Sequence, residues 1–185
     1  DKLPIDKSKA VVSGATGGVG SIGVKLLCQL GADVTAITGK IDKKSWLKEL
    51  GASKVLDRKR FIDSTKHPLS KGKYDIALDV VGGRILSSII ASMNYGGIIT
   101  TCGNVGGPKF ETSVFPFILR GNSLIGIDSA ACSIEKKKMI WKNFSSIWKI
   151  NGLEKTSKIV SLENMIPEIE KILSGNQIGR IILEL

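Results

Sequence analysis

The chain has 185 residues, 42% of them apolar and 24% charged, with a formal net charge of +10. That length suits one substantial domain with, at most, a short appendage, and the balance is that of an ordinary globular protein. No apolar run reaches the roughly 20 residues a membrane span needs, and Cys28, Cys102, Cys132 and the single His67 are too scattered for a disulfide framework or a zinc site.

The basic clusters at 7–9, 40–44, 58–60 and 136–138 have no interleaved aromatic residues, so a nucleic-acid partner rests on charge alone. They read as solvated surface or as attraction for an anionic small molecule. The N-terminal stretch Asp1-Lys2-Leu3-Pro4-Ile5 has no apolar signal region. With the dispersed thiols, this points to a reducing, cytoplasmic setting.

In chain order, 9–13 is a short apolar run that stops at Gly14 and reads as a buried strand. Helical spacing of Val19, Ile22, Leu26, Leu27 and Leu30 predicts a helix over 19–30, closed by Gly31. A second strand follows at 34–38, a helix at 42–50 and a short strand at 54–56. The polar stretch 57–72 carries no clear element. Next come a strand at 74–81, a helix at 84–93 and a strand at 98–102. A helical turn is expected at 115–119, a sixth strand at 123–127 and an amphipathic helix over 133–150. A helix at 163–173 and a strand at 181–185 close the chain. Alternating strands and helices through residue 128 mean βαβ units and parallel pairing. The expected fold is α/β, a Rossmann-type doubly wound sheet of six parallel strands.

Four glycines stand between residues 14 and 20, after a strand and before a helix. Glycines there let backbone approach a pyrophosphate at a positive helix end. Three registers compete. Gly18-x-Gly20-x-x-Gly23 is the literal fingerprint but starts inside the predicted helix. Ser13-Gly14-x-x-x-Gly18-x-Gly20 resembles the loop of short-chain dehydrogenases, whose catalytic Tyr-x-x-x-Lys is absent, since Leu78 and Ile99 follow Tyr74 and Tyr95 at that spacing. Ala15-x-Gly17-Gly18-x-Gly20 begins directly after the strand. In that register Gly23 lies one turn into the helix and serves close packing.

The end of the second strand bears on the cofactor. An NAD-preferring domain usually carries a carboxylate there for the ribose hydroxyls. This chain has Thr38-Gly39-Lys40, with Arg58 after the third strand. A hydroxyl and cations attract the 2′-phosphate of NADPH, which a carboxylate would repel.

The third register resembles the quinone-oxidoreductase branch of the medium-chain dehydrogenase/reductase superfamily. Further stretches carry the resemblance: Leu50-Gly51-Ala52-Ser53-Lys54-Val55-Leu56, Asp79-Val80-Val81-Gly82, Met93-Asn94-Tyr95-Gly96-Gly97, Cys102-Gly103-Asn104, Pro116-Phe117-Ile118-Leu119-Arg120, Gly126-Ile127-Asp128-Ser129 and Asn176-Gln177-Ile178-Gly179-Arg180. Together they look like the zinc-independent acrylyl-CoA reductase group. The resemblance implies hydride transfer from NADPH to the β-carbon of acryloyl-CoA, giving propionyl-CoA. It implies that Thr16, Gly17, Gly18 and Val19 line the pyrophosphate. Thr38, Gly39, Lys40 and Arg58 would face the 2′-phosphate, and Asn104, Ile118, Ser129 and Arg180 the nicotinamide half. Family members usually have Ser and Arg where this chain has Thr38 and Lys40, so charge is kept and a bidentate fork is lost.

The resemblance also implies two parts. Residues 1–152 would form the nucleotide-binding domain. Residues 153–185 would return to a GroES-like catalytic domain that precedes this point in the family and is missing here. The chain is therefore expected to be a fragment, and no catalytic acid is named in it. The expected partner is a small molecule, an acyl-CoA, with no nucleic acid, membrane or metal; a homodimer is an open option. A quinone or enone reductase, or a non-catalytic nucleotide-binding module, are the alternatives.

Overall fold

A computed structural model describes residues 4–65 and 67–185. Residues 1–3, and residue 66 in the polar stretch 57–72, lie outside the described residues.

The main sheet has six parallel strands in the order β3-β2-β1-β4-β5-β6. They are β1 (Lys9–Val12), β2 (Asp33–Thr38), β3 (Lys54–Asp57), β4 (Tyr74–Asp79), β5 (Met93–Thr101) and β6 (Ser123–Gly126). The chain reverses its direction of travel across the sheet between β1 and β4, which opens a crevice at the carboxyl ends of those two strands.

Helices cover both faces, so the central strands are apolar throughout rather than alternating. Ala10, Val11 and Val12 are fully buried. Val11 and Ile37 face one core, with Ile85, Leu86, Ile89 and Ile90 of α4 (Gly83–Ala91) and Phe61 of α3 (Arg58–Asp63). Ala10, Val12 and Val34 face the other, with Val24 of α1 (Gly18–Gln29) and Leu47 of α2 (Lys44–Glu49). Each fully buried Val, Leu or Ile side chain contributes about 1.5–3 kcal/mol.

The elements depart from expectation in four places. Helix α3 lies in the polar stretch. Only Phe61 and Ile62 mark its apolar side, and Asp57 caps it by accepting from the Arg60 N–H at 3.0 Å. Strand β5 begins at Met93, five residues early, with a register irregularity opposite Tyr74 and Ile76. After α5 (Phe115–Arg120), helix α6 (Ile134–Phe144) stops short of residue 150, because the Trp148 N–H turns back to the Asn143 carbonyl at 2.8 Å. Strand β7 (Ser157–Ser161) had no sequence signal; it pairs in parallel with β8 (Arg180–Glu184) alone, outside the main sheet.

Helix α7 (Met165–Leu173) joins β7 to β8. Its buried Glu168 accepts from Lys158 at 2.7 Å and Lys171 at 2.8 Å, which hold its carboxyl below the usual range. Ile159, Ile166, Ile172 and Leu173 of this C-terminal unit are exposed. Among the described residues no helix is long and apolar enough to cross a membrane.

One buried carboxylate ties the crevice together. Asp79 ends β4 with no solvent exposure. It accepts from the Ser13 hydroxyl after β1 at 2.6 Å, from the Gly82 N–H after β4 at 3.0 Å and from the Thr101 hydroxyl of β5 at 2.9 Å. Asp79→Ala strips the acceptor from these buried donors and should lower unfolding free energy by about 3 kcal/mol. Asp79→Asn, isosteric and still an acceptor at one atom, should lose less. Urea unfolding at constant m-value reads both; an unchanged midpoint for Asp79→Ala would contradict this account.

Candidate functional site

The glycine loop leaves β1 at the mouth of the crevice. The Ala15 N–H still bonds to the Ile37 carbonyl at 3.1 Å, and the Gly17 N–H closes a turn onto Gly14 at 2.8 Å. Helix α1 then starts at Gly18, with no side-chain cap and no acid in its first turn. The N–H groups of Val19 and Gly20 have no partner among the described residues, while that of Gly18 faces the Gly179 carbonyl in the bridge between Gly17 and Gly179. Two free donors at a positive helix end suit an anion.

The turn is thus Gly14 to Gly17, and the literal fingerprint lies inside the helix. Gly20 allows the helix to sit on that turn, because a Cβ there would stand 2.3 Å from the Gly14 carbonyl oxygen. A methyl at Gly23 would meet the Leu78 side chain, again at 2.3 Å. Gly23 does serve close packing, and a methyl there fits only if Leu78 moves.

The second part of the site lies at the end of β2. The Thr38 hydroxyl is 3.1 Å from the Thr16 hydroxyl and accepts from the Lys40 N–H at 2.9 Å. The Lys40 ammonium reaches the Thr16 hydroxyl at 3.5 Å. Arg58 lies over Gly39, with its guanidinium 3.3 Å from where a Cβ would stand. Burial and the neighbouring Arg58 charge push the Lys40 amino group below its ordinary range, against a smaller pull from Asp42. Neither cation has an ion-pair partner among the described residues. Two like charges without an ion-paired carboxylate are relieved by a bound anion.

The third part is a shallow cleft past β5 and β6, lined by residues that include Cys102, Asn104, Ile127 and Asp128. Burial and Asp79 raise the Cys102 thiol above its usual range. Ser129 follows in sequence, exposed, while Ile118 is exposed on α5; neither lines the cleft. Arg180 does not line it either. Its side chain crosses Gly18, so it stands at the glycine loop.

Thr16, Gly17, Gly18, Val19, Thr38, Gly39, Lys40, Arg58 and Arg180 therefore gather around the α1 N-terminus and the β2 end, with Asn104 across the crevice. Sequence reading missed the Ser13–Asp79–Thr101 ties. Asp79 was visible as the end of a strand motif, but nothing signalled that Ser13 and Thr101 would meet it. A larger concavity of about 680 Å³ runs along α4 past Arg84, Ser87 and Lys109, away from the glycine loop.

Free N–H donors, a Cβ-free approach and unpaired cations fit a dinucleotide. Among the described residues no three His, Cys, Asp or Glu side chains stand close enough together to hold a metal ion. Burial, with the Asp33 charge, pushes the Cys28 thiol to about 11, the wrong direction for a thiolate ligand.

Residues 18–145 match the family model described as zinc-binding dehydrogenase. The crystal structure of Bacillus subtilis YhfP with NAD bound superposes with a TM-score of 0.92 at 40% identity, covering 99% of this chain and 56% of that one. Escherichia coli YhdH with bound NADPH gives 0.90 at 37% identity, covering 97% and 55%. The acrylyl-CoA reductase AcuI of Ruegeria pomeroyi is 31% identical over 174 residues, which are 94% of this chain and 53% of that protein. The chain spans about half the length of the curated relatives it matches. With most of its residues on the family model, and with the parallel six-stranded sheet of those relatives, this chain belongs to the zinc-binding dehydrogenase family, within the medium-chain dehydrogenase/reductase group.

Proposed function

We propose that this chain is the cofactor-holding part of an NADPH-dependent oxidoreductase that reduces the activated C=C bond of acryloyl-CoA to propionyl-CoA. The observation that carries the cofactor is the unpaired Lys40–Arg58 cluster beside Thr38, where a carboxylate would select NAD. Acryloyl-CoA is supported by two relatives named acrylyl-CoA reductase.

NADPH supplies the hydride. In this reading the N–H groups of Val19 and Gly20 hold the pyrophosphate, with Thr16, Gly17 and Gly18 framing it. Thr38, Lys40 and Arg58 take the 2′-phosphate around Gly39. Asn104, Ile118 and Ser129 flank the nicotinamide half, and Arg180, against Gly18, is assigned to the pyrophosphate end. No metal enters the reading.

Residues 1–152 are the cofactor domain in this proposal, and 153–185 pack toward a GroES-like catalytic domain. The exposed apolar side chains of the C-terminal unit support that division. The partner is an acyl-CoA, not a nucleic acid or membrane; the setting is cytoplasmic, and a homodimer is compatible. A second reading, a quinone or enone reductase, is favoured by YhfP, which carries a quinone-oxidoreductase name. Comparing acryloyl-CoA with a simple quinone as acceptor separates the two.

By titration, NADPH is expected to bind at least about tenfold more tightly than NADH, and Lys40→Asp to reverse the order. Equal affinities in the unmutated protein would sink the reading. Because the Lys40 amino group lies below its ordinary range, the NADPH advantage should hold near neutral pH and shrink as pH rises through that lowered value. NADH binding should not follow.

The empty protein bears the unrelieved Lys40 charge at neutral pH, so Lys40→Gln should raise its melting temperature slightly while weakening NADPH. A fall in both would show that the side chain serves packing instead. Gly17→Val should abolish NADPH binding with circular dichroism unchanged; normal binding by this folded variant would refute the register. The 185-residue chain alone should turn over acryloyl-CoA feebly, because hydride transfer needs a closed near-attack geometry. Robust turnover would refute the two-part reading.

A further inference from the structure

The groove along α4 takes no part in the cofactor site. It lies on the α3 and α4 side of the sheet, opposite α1, and measures about 680 Å³. Small-molecule sites typically measure roughly 300–1,000 Å³. Its floor is the outer side of α4, from Arg84 through Ser88 to Ala91. One wall is the end of α3, with Asp63; the other is the chain at 109–113, between β5 and α5. That second wall is fixed at two points. The Gly106 N–H donates to the Val81 carbonyl at 2.7 Å, and the Glu111 N–H to the Ser87 hydroxyl at 3.1 Å. Lys109 and Phe110 lie in the span between those anchors.

The groove is polarised along its length. At the α4 N-terminal end stand Arg84 and, just past the Gly106 anchor, Lys109. Neither has an ion-pair partner among the described residues, and the first turn of α4 has no acid and no side-chain cap. Two cations beside a positive helix end favour an anion. The remaining charges are carboxylates: Glu111, anchored at Ser87 one turn farther along α4, and Asp63 on the opposite wall. These too have no ion-pair partner among the described residues. A carboxylate accepts from an amino group. Between the two ends Phe110, 39% exposed, offers a ring for stacking. Phosphate at one end, a planar ring in the middle and an amino donor at the other is the chemistry of an adenine nucleotide.

We propose that this groove holds the adenosine-phosphate head of a CoA thioester, with its phosphates between Arg84 and Lys109, its adenine against Phe110 and the ring amino group toward Asp63 and Glu111. The inference deepens the acyl-CoA reading above and rests on it. The reach fits. Asn104 in the cleft past β5 and Lys109 at the phosphate end lie on one loop. Even fully extended, that stretch spans at most about 18 Å. The Gly107 N–H turns back to the Asn104 carbonyl at 2.9 Å, which shortens the path. The pantetheine arm and pyrophosphate of CoA cover such a distance, so the thioester end reaches the cleft while the head stays on α4.

Calorimetric titration of the NADPH-saturated chain tests this, since a filled cofactor site keeps the probes from the Lys40 end. The probes are CoA, dephospho-CoA, ADP and pantetheine. CoA should bind tightest, with dephospho-CoA and ADP at least about fivefold weaker and pantetheine weaker still. Arg84→Glu should weaken CoA at least about tenfold and leave NADPH within about twofold. Phe110→Ala should weaken CoA at least about fivefold. Arg84 and Phe110 are exposed, and an acid suits the first turn of α4, so both variants should fold, with circular dichroism as the check. No CoA binding, or binding undiminished by either substitution, would overturn the groove and leave the cofactor reading standing. ADP as tight as CoA would make the groove a site for free nucleotide and overturn the CoA head. Without NADPH binding the cofactor reading falls, and the same comparison on the empty chain still decides the groove. The acyl-CoA reading fails separately, if acryloyl-CoA is no acceptor where a simple quinone is.

Discussion

The Asp79 carboxylate holds the crevice in shape. Three chain segments leave the sheet there, after β1, β4 and β5, and each brings a polar group to the same two oxygens. A buried carboxylate with fewer donors would be costly, and buried donors without it would be orphaned. The three exits are therefore set as a group. The glycine loop, one residue past Ser13, inherits its position from this tie.

The site's chemistry follows from what the fold leaves unsatisfied. The Gly20–Gly14 contact seats α1 directly on the turn, so its first N–H groups point at the crevice without a side-chain cap. The end of β2 supplies a buried hydroxyl and two cations with no ion-pair partner among the described residues. Arg180 adds a third cation from the far end of the chain. The folded protein tolerates this excess of positive charge around the α1 N-terminus and the β2 end, at a small cost in its empty state. In the proposed reading, a ligand carrying a pyrophosphate and a further phosphate would remove that cost and be bound by the difference.

Much of this was legible beforehand. Continuous apolar runs at β1 and β2, and the glycines after each element, revealed the alternation and hence the parallel sheet. The Thr38-Gly39-Lys40 ending carried the charge argument without a structure. Three things stayed hidden for physical reasons. Helix α3 is short and polar, held by an Asp57 cap and one buried Phe61, too little for a periodic signal. Strand β7 has one partner and a half-exposed face, so Ile159 and Val160 look like any surface pair. The Asp79 ties and the Gly179–Thr16 contact span long sequence separations, and spacing along the chain cannot reveal which polar groups meet.

The central claim is that the β2 end is built for a 2′-phosphate. Calorimetric titration with adenosine 2′,5′-bisphosphate and with adenosine 5′-monophosphate isolates that group, since the two differ in it alone. The account predicts that the bisphosphate binds at least about tenfold more tightly at low salt, the scale of one charge-assisted contact. Equal affinity would mean that Lys40 and Arg58 are merely solvated surface charges, and the assignment of the cofactor would fail.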